Sequence, residues 1–566
     1  MMNMSSSFRG YGKVDAAEQA KLEEARRKTR KRVIIISISS VILVCVVVAT
    51  VLGTSNNSGG NSADQPLSSS IKAICDVTLY PDTCSTSLAP LAHSSHIQPI
   101  DAFKLATQVA FAELQKVADQ YFSEQSNFNG NMNVAALESC RQLLSLALDH
   151  LNGTLFSSSL SLLDVADDLQ TWLSSAGTYQ ETCKDGFENA NATAKSTIDN
   201  WLKNSTELTS NSLAIVSWIS KIESALNLRR RRLMSFDPEW LNSKDRKLLE
   251  TSDLTTQANI VVAQDGSGQC KNISDALKAV PDKSSTRFVI YVKKGIYYEN
   301  VQINKNKWNV LMVGDGMNDT IVSGGLNFVD GTPTYSTATF AVAGKGFIAI
   351  DMGFCNTAGA IKHQAVALLS DSDKSVFYRC SMDAFQDTLY AHTNRQFYRE
   401  CNITGTVDFI FGNSAVVLQN CTIRPRLPLP GQQNTITAQG KADPNQNTGI
   451  SIQNCSITPY GDLSSVQTYL GRPWKNYSTT VYIGNYLESF IDPSGWLPWI
   501  GTSAPNTIFY SEFQNYGPGS TLENRVNWVG VKNNMTSKQA KKFTVGSFIK
   551  GKQWISDAGV PYQSGL

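Results

Sequence analysis

Between Gln364 and Gly412 the chain sets a polar side chain into an apolar run at a steady interval. The three occurrences are Gln364 in Gln364-Ala365-Val366-Ala367-Leu368, Gln386 in Gln386-Asp387-Thr388-Leu389-Tyr390, and Asp408 in Asp408-Phe409-Ile410-Phe411-Gly412, an interval of 22 each time. The cysteines keep a similar beat. Cys355, Cys380, Cys401, Cys421 and Cys455 sit in like frames (FCNTAG, YRCSMD, YRECNITG, LQNCTI, IQNCSI) at intervals of 25, 21, 20 and 34. Self-similarity at this period constrains the fold strongly, because one repeat cannot bury its apolar face alone and must stack on the next. Short β-rich pieces with Asn and Gly at the corners select a parallel β-helix over stacked helices. Further β runs at 260–263, 288–292, 310–313 and 347–350 extend it upstream, with one short helix over 273–280 capped by Ser274 or Asn272.

The 566-residue length calls for two or three domains. With 50 basic against 48 acidic residues, nothing argues for nucleic acid as a partner. Residues 1–32 are polar and end in a basic run, and the apolar stretch 33–53 carries no charge at all. A stretch of that length spans a bilayer, and the flanking charges keep the N-terminus cytoplasmic. The run is longer than the apolar core of a cleaved signal peptide, so it reads as a transmembrane signal anchor, with cleavage as the rival. Either way the bulk of the chain enters the secretory pathway. Residues 54–70 form a Ser/Asn/Gly linker. Many Asn-x-Ser/Thr sequons follow it; Asn402, Asn420 and Asn454 fall inside the repeat frame, where burial is expected for some of them.

Residues 71–228 read as an all-α four-helix bundle. Phe103, Ala106, Ala110, Leu114 and Val117 share one helical face, as do Leu137, Cys140, Leu144, Leu148 and Leu151. Cys75, Cys84, Cys140 and Cys183 make an even set in an oxidising compartment. Cys75 and Cys84 are close enough to form a local bridge, leaving Cys140 with Cys183. Residues 229–250 then break the pattern with basic clusters at Arg229–Arg232 and Arg246-Lys247. The five histidines, His93, His96, His150, His363 and His392, have no ligand spacing, so neither a metal nor another cofactor is expected. His363 reads as a rim residue. No Gly-x-Ser-x-Gly turn offers a serine nucleophile.

Ordered motifs now carry a resemblance. Gly295-Ile296-Tyr297-Tyr298-Glu299, the three runs quoted above and Leu470-Gly471-Arg472-Pro473-Trp474 look like the pectin methylesterase (pectinesterase) family over about 250–560. The Cys75/Cys84 pair, Cys140 and Thr178-Tyr179-Gln180-Glu181-Thr182-Cys183-Lys184-Asp185-Gly186-Phe187 resemble the pectin methylesterase inhibitor family over most of 71–228. Together they are similar to the plant proenzymes. The resemblance implies a right-handed parallel β-helix catalytic domain at 251–566 behind an inhibitor-like bundle, and the uncharged run read above sets a transmembrane segment ahead of both. It implies hydrolysis of methyl-esterified homogalacturonan (pectin) in cell wall modification. With the basic clusters it also implies a processing protease acting at 229–250, the bundle docking in cis and the product secreted to the cell wall; the uncharged run makes the precursor membrane-anchored.

Read for ester cleavage, Asp408 is the nucleophile and Asp387 the proton donor, close to one coil apart along the chain. Gln386 stabilises the transition state, and Gln364 supplies a second amide donor for the oxyanion. Arg472 resembles the family arginine that pairs with the nucleophile, and Thr334 matches a substrate-contacting threonine. Trp474 offers a flat face to a sugar ring, and Tyr390 extends it. Cys401 and Cys421, stacked on neighbouring coils, are expected to form a disulfide. Two rival classes are a glycoside hydrolase on the same polymer, which also uses two close carboxylates, and a non-catalytic wall-binding protein.

Overall fold

The computed structural model describes residues 65–91, 97–123, 128, 130–157, 162–188, 190, 192–227 and 256–566. The expected tail 1–32, the uncharged run 33–53, most of the 54–70 linker, His93, His96 and the basic clusters of 229–250 lie outside the described residues. Among the described residues no helix is long and apolar enough to cross a membrane.

From Ile260 the chain winds through short parallel strands that build sheets of eleven, eight and seven strands. One coil shows the cycle. Ser375–Tyr378 joins the first sheet, Ser381–Asp383 the second and Leu389–Ala391 the third, before Arg395–Arg399 returns to the first. In-register pairing stacks like on like. Ile260, Ile290, Met312, Ala349, Phe377, Tyr398, Leu418, Ile452 and Tyr482 form one unbroken inward row. Phe377 lies on Tyr398 with centroids 4.8 Å apart and planes 7° apart. Each large side chain so buried contributes about 1.5–3 kcal/mol. The opposite face of that sheet is also covered: Val289, Leu311, Ile348, Val376, Phe397 and Val417 pack under Val545, Ile549, Trp554 and Ile555 near the C-terminus. Strands buried on both faces need apolar residues at successive positions, hence the imperfect alternation. Helix Ile273–Lys278 is capped by Asn272, whose Oδ1 accepts from the Asp275 amide at 2.7 Å.

Four cysteines form a ladder at one corner. Arg379, Glu400, Asn420 and Asn454 take left-handed φ values of 52°, 55°, 55° and 51°, and each turns the chain into a buried cysteine: Cys380, Cys401, Cys421 and Cys455. The residues that follow are paired strand to strand, so the four cysteines stack. Each thiol donates to a carbonyl of the preceding coil; Cys401 reaches Phe377 O at 3.3 Å and Cys421 reaches Tyr398 O at 3.6 Å. The expected Cys401–Cys421 disulfide is not formed, and both are free thiols. Parallel register turns all four Cβ atoms the same way, whereas a disulfide needs Cβ vectors that converge. Cys355 lies opposite Asp383, outside the ladder. The three sequon asparagines are exposed rather than buried, because at these corners the cysteine points inward and Asn402, Asn420 and Asn454 point out.

The helical region comprises α1 (Gln65–Cys75), α2 (Pro81–Leu88), α3 (Pro99–Ser123), α4 (Asn131–Ser157), α5 (Leu162–Asp185) and α6 (Ala192–Asn227). The four long helices enclose Phe103, Leu114, Leu144, Leu173, Tyr179, Ile198 and Val216. Cys75–Cys84 ties α1 to α2, and Cys140–Cys183 ties α4 to α5, both as expected. Helix α1 begins inside the stretch expected as linker, with Pro66 in its first turn, where a missing N–H costs nothing.

Candidate active site

The third sheet places the acids. Gln364 bridges Gln386 in the parallel sense, as their spacing predicts. Beyond them Leu368 pairs with Leu389 and Leu389 with Ile410, each a step of 21. The constant interval of 22 therefore holds for one step only, and the residue beside Asp408 is Asp387 rather than Gln386. Asp387 and Asp408 both adopt left-handed backbone, φ 64° and 53°. Such conformations cost of order 1 kcal/mol or more each and persist where the surroundings over-determine them. Here the Asp387 amide donates to Val407 O at 3.1 Å, and the Asp408 amide to Thr435 Oγ1 at 2.9 Å.

The two carboxyls have different surroundings. Arg472 grips both oxygens of Asp408, Nε at 2.8 Å and Nη2 at 2.6 Å, and Thr435 Oγ1 donates to Oδ1 at 2.6 Å. Charge-assisted bidentate pairing of this kind is strong and fixes the plane of the carboxylate. Asp387 lies one strand spacing away, about 4.8 Å. Its carboxyl is pushed well above the usual range, first by burial and then by the charge of Asp408, against the pull of Arg472. One carboxyl is thus pinned by a guanidinium, while its neighbour keeps its proton well above the usual range.

Both face a cavity of about 220 Å³. Thr334, Gln364, Gln386, Asp387, Asp408, Arg472 and Trp474, far apart in the chain, all line it. Tyr390 does too, stacked on Phe411 at 4.0 Å. His363 is exposed and is not part of the lining. Two contributors escaped the sequence reading. Trp499 lies 4.3 Å under the Arg472 guanidinium and 6.4 Å from Trp474, making an aromatic wall. Thr435 clasps Asp408 from the next coil. Neither falls on the regular interval, because the insertion before Asn434 and the loop before Trp499 break it.

The far wall is helical. Ser139, Leu143, Thr182, Asp185 and the Cys140–Cys183 bridge close the cavity from α4 and α5. The contact beyond it is polar. Tyr179 OH pairs with Thr393 Oγ1 at 2.9 Å, Asn413 donates to Thr178 at 2.8 Å, and Gln446 donates to Ser174 O at 3.1 Å. His392 sits between Asp371 Oδ1 at 2.6 Å and Thr182 Oγ1 at 2.7 Å. That acid–imidazole–hydroxyl series is fully buried and takes its hydroxyl from α5, so no substrate reaches it while the bundle is in place.

The family model described as pectinesterase matches residues 259–552, and the one described as plant invertase/pectin methylesterase inhibitor matches 69–215. A probable pectinesterase/pectinesterase inhibitor 46 of Arabidopsis thaliana is 54% identical, covering 98% of this chain and 99% of its own. Pectinesterase 3 of Phaseolus vulgaris is 50% identical over 100% of both chains. The solved pectin methylesterase from carrot is 51% identical with a TM-score of 0.54, and it matches 55% of this chain and 98% of that one. That share is what the β-helix region makes up of this chain, so the carrot fold stands with no helical bundle in front of it. The chain belongs to the pectinesterase family and carries an inhibitor-family region ahead of its β-helix.

Proposed function

We propose that the cavity hydrolyses methyl esters of homogalacturonan, with Asp408 as nucleophile and Asp387 as proton donor. The observation that carries this reading is the asymmetry of the pair: a carboxylate gripped by Arg472 beside a carboxyl kept neutral by burial. Asp408 attacks the ester carbonyl. The oxygen gains charge and is met by the amides of Gln386 and Gln364. Collapse expels methoxide, which takes the proton of Asp387 and leaves as methanol. The resulting acyl–Asp408 is cleaved by water, now deprotonated by Asp387, and the pair returns to its first state. Trp474, Trp499 and Thr334 hold the sugar. Two neutral amides suit a tetrahedral oxyanion; an oxocarbenium-like centre gains little from them, which disfavours glycosidic cleavage. Residues 256–566, given methyl-esterified pectin, should release methanol and create no new reducing ends. Asp408→Ala should abolish the release and Asp387→Asn cripple it. Depolymerisation with the esters left intact overturns the assignment.

The bundle is proposed as a cis inhibitor, supported by its inhibitor-family match and by the wall that α4 and α5 give the cavity. Release by a protease at 229–250, anchoring through 33–53 and delivery to the cell wall complete the reading, motivated by the basic clusters and the uncharged run. Alanine at Arg229–Arg232, Arg246 and Lys247 should leave an uncut chain of low activity in the secretory pathway; full activity in that form contradicts it.

A further inference from the structure

The two oxygens of Asp408 are not held alike. Oδ1 accepts from Arg472 Nε at 2.8 Å and from Thr435 Oγ1 at 2.6 Å, whereas Oδ2 accepts from Arg472 Nη2 at 2.6 Å and from no other donor among the described residues. A carboxylate oxygen offers about two lone pairs in the carboxylate plane, so Oδ1 is saturated and Oδ2 keeps one site open. Arg472 by itself treats the two oxygens alike; the hydroxyl is what makes them different. Thr435 is fully buried on the strand Asn434–Gln439, which pairs on one side with Ile410–Gly412, just beyond Asp408, and on the other with the strand that carries Arg472. Its hydroxyl also accepts from the Asp408 amide at 2.9 Å. One oxygen atom thus ties down both the left-handed backbone of Asp408 and one end of its carboxylate.

We infer that Thr435 is a positioning residue that gives the two oxygens of Asp408 separate tasks: Oδ2 forms the bond to the ester carbon, and Oδ1 becomes the carbonyl oxygen of the acyl intermediate and receives charge again when that intermediate is cleaved. The inference rests on the esterase reading above. In the first half of the reaction the Oδ2–carbon bond forms, the bond from carbon to the methoxy oxygen breaks, and methoxide takes the proton of Asp387. The negative charge of Asp408 is used up in this half, so a donor on Oδ1 holds it back and slows the attack. In the second half water adds to the same carbon and gives a proton to Asp387. The Oδ2–carbon bond then breaks and its electron pair returns to the carboxylate. Arg472 Nε and Thr435 Oγ1 meet the charge on Oδ1 as it reappears, so the same donor speeds this half. The hydroxyl therefore works in opposite directions on the two steps, and its service is to keep Asp408 from remaining acylated.

The test uses residues 256–566, since the carrot enzyme shows that such a β-helix stands alone. Methanol release from fully methyl-esterified hexagalacturonate is followed by rapid quench through the first turnover and on into the steady state. Thr435→Val deletes the hydroxyl and keeps the branched shape; Thr435→Ala deletes it without setting a methyl group against the carboxylate. Each should lower steady-state kcat about tenfold, as expected for one hydrogen bond to a charged group, after a burst of about one equivalent of methanol per domain. KM should fall with kcat, because a slow second step builds up the acyl form, and kcat/KM, which reports the first step alone, should not fall. Thr435→Ser keeps the hydroxyl and should restore the kinetics of the unsubstituted domain. A kcat/KM that falls in step with kcat, with no burst, is the mark of a misplaced Asp408 and overturns the inference. An unchanged kcat in both hydroxyl-free variants also overturns it, as does a Thr435→Ser that behaves like them, which assigns the effect to packing. Failure of the unsubstituted domain to release methanol is a different result and overturns the esterase reading itself.

Discussion

At the scale of single residues, the proposed chemistry rests on giving two adjacent carboxyls unlike surroundings. Arg472 does this through geometry as well as charge, because Nε and Nη2 meet both oxygens of Asp408 while the guanidinium lies over Trp499. A lysine keeps the charge and loses the fork and the stack. Arg472→Lys should therefore lower kcat of methanol release by roughly 100-fold, a loss of about 2.7 kcal/mol of transition-state stabilisation. Parallel loss of the fold, read by circular dichroism, is not expected. In the proposed mechanism Asp387 sets the alkaline limb. Its proton is retained well above the usual carboxylate range and is needed by the leaving methanol, so kcat falls as pH rises through that raised value. Asp387→Asn should remove the limb along with most of the rate; a limb unchanged in that variant assigns it elsewhere. The acids, both glutamines, Arg472 and Trp474 were legible in the sequence because each sits in a distinctive run. Thr435 and Trp499 were not, since the hydroxyl that clasps Asp408 and the ring beneath Arg472 are brought there by coils of irregular length.

At the scale of elements, coils of slightly unequal length explain both what was readable and what slipped. Motif spacing announced stacked rungs, but the chain takes one step fewer from Gln386 to Leu389 than from Gln364 to Leu368, although both pairs start and end on the same rungs. The interval of 22 therefore set Asp408 against Gln386, whereas the separation of 21 between Asp387 and Asp408, read from the sequence as close to one coil, is the step the rungs keep. Spacing also put Cys401 and Cys421 on adjacent coils, correctly, yet said nothing of the direction of their Cβ atoms. Four parallel thiols aimed into a dry core are packing groups. Under native conditions Cys380, Cys401, Cys421 and Cys455 should resist alkylation, and after denaturation mass spectrometry should find all four modified; a Cys401–Cys421 disulfide in the peptide map would falsify the ladder. The rungs tolerate little added volume. Gly412 has φ +124°, and a Cβ there runs into the Ala391 carbonyl of the preceding coil, close in the chain to Asp408. Gly412→Ala should cost about 2 kcal/mol or more, through strained backbone and a forced shift, read as a lower urea midpoint.

At the scale of the whole molecule, the question is what lets a bundle leave a site that it seals with hydrogen bonds and ion pairs. Asp185 supplies a handle. In the docked state burial raises its carboxyl to about 6, against the attraction of Lys475 and with small upward contributions from Glu181 and Glu188. Away from the β-helix the burial is lost and the group returns to the ordinary range near ~4. Between those two values the docked state holds a proton that the undocked state does not, so docking strengthens as pH falls, by up to about tenfold per unit, and weakens as pH rises through about 6. Because catalysis has its own pH dependence, the informative quantity is a ratio: methanol release by the uncut chain over that by residues 256–566, at matched pH. It should climb between about pH 4 and about pH 6 and level off above that. Asp185→Asn removes the titrating group while keeping a hydrogen-bonding side chain against Lys475, and it should flatten the ratio. A ratio that does not change with pH in the unsubstituted chain, or that changes as much in Asp185→Asn, places the control of docking in some other contact. If the slope behaves as argued, Asp185 makes the seal responsive to the acidity around it, and opening requires no change in Asp387 or Asp408.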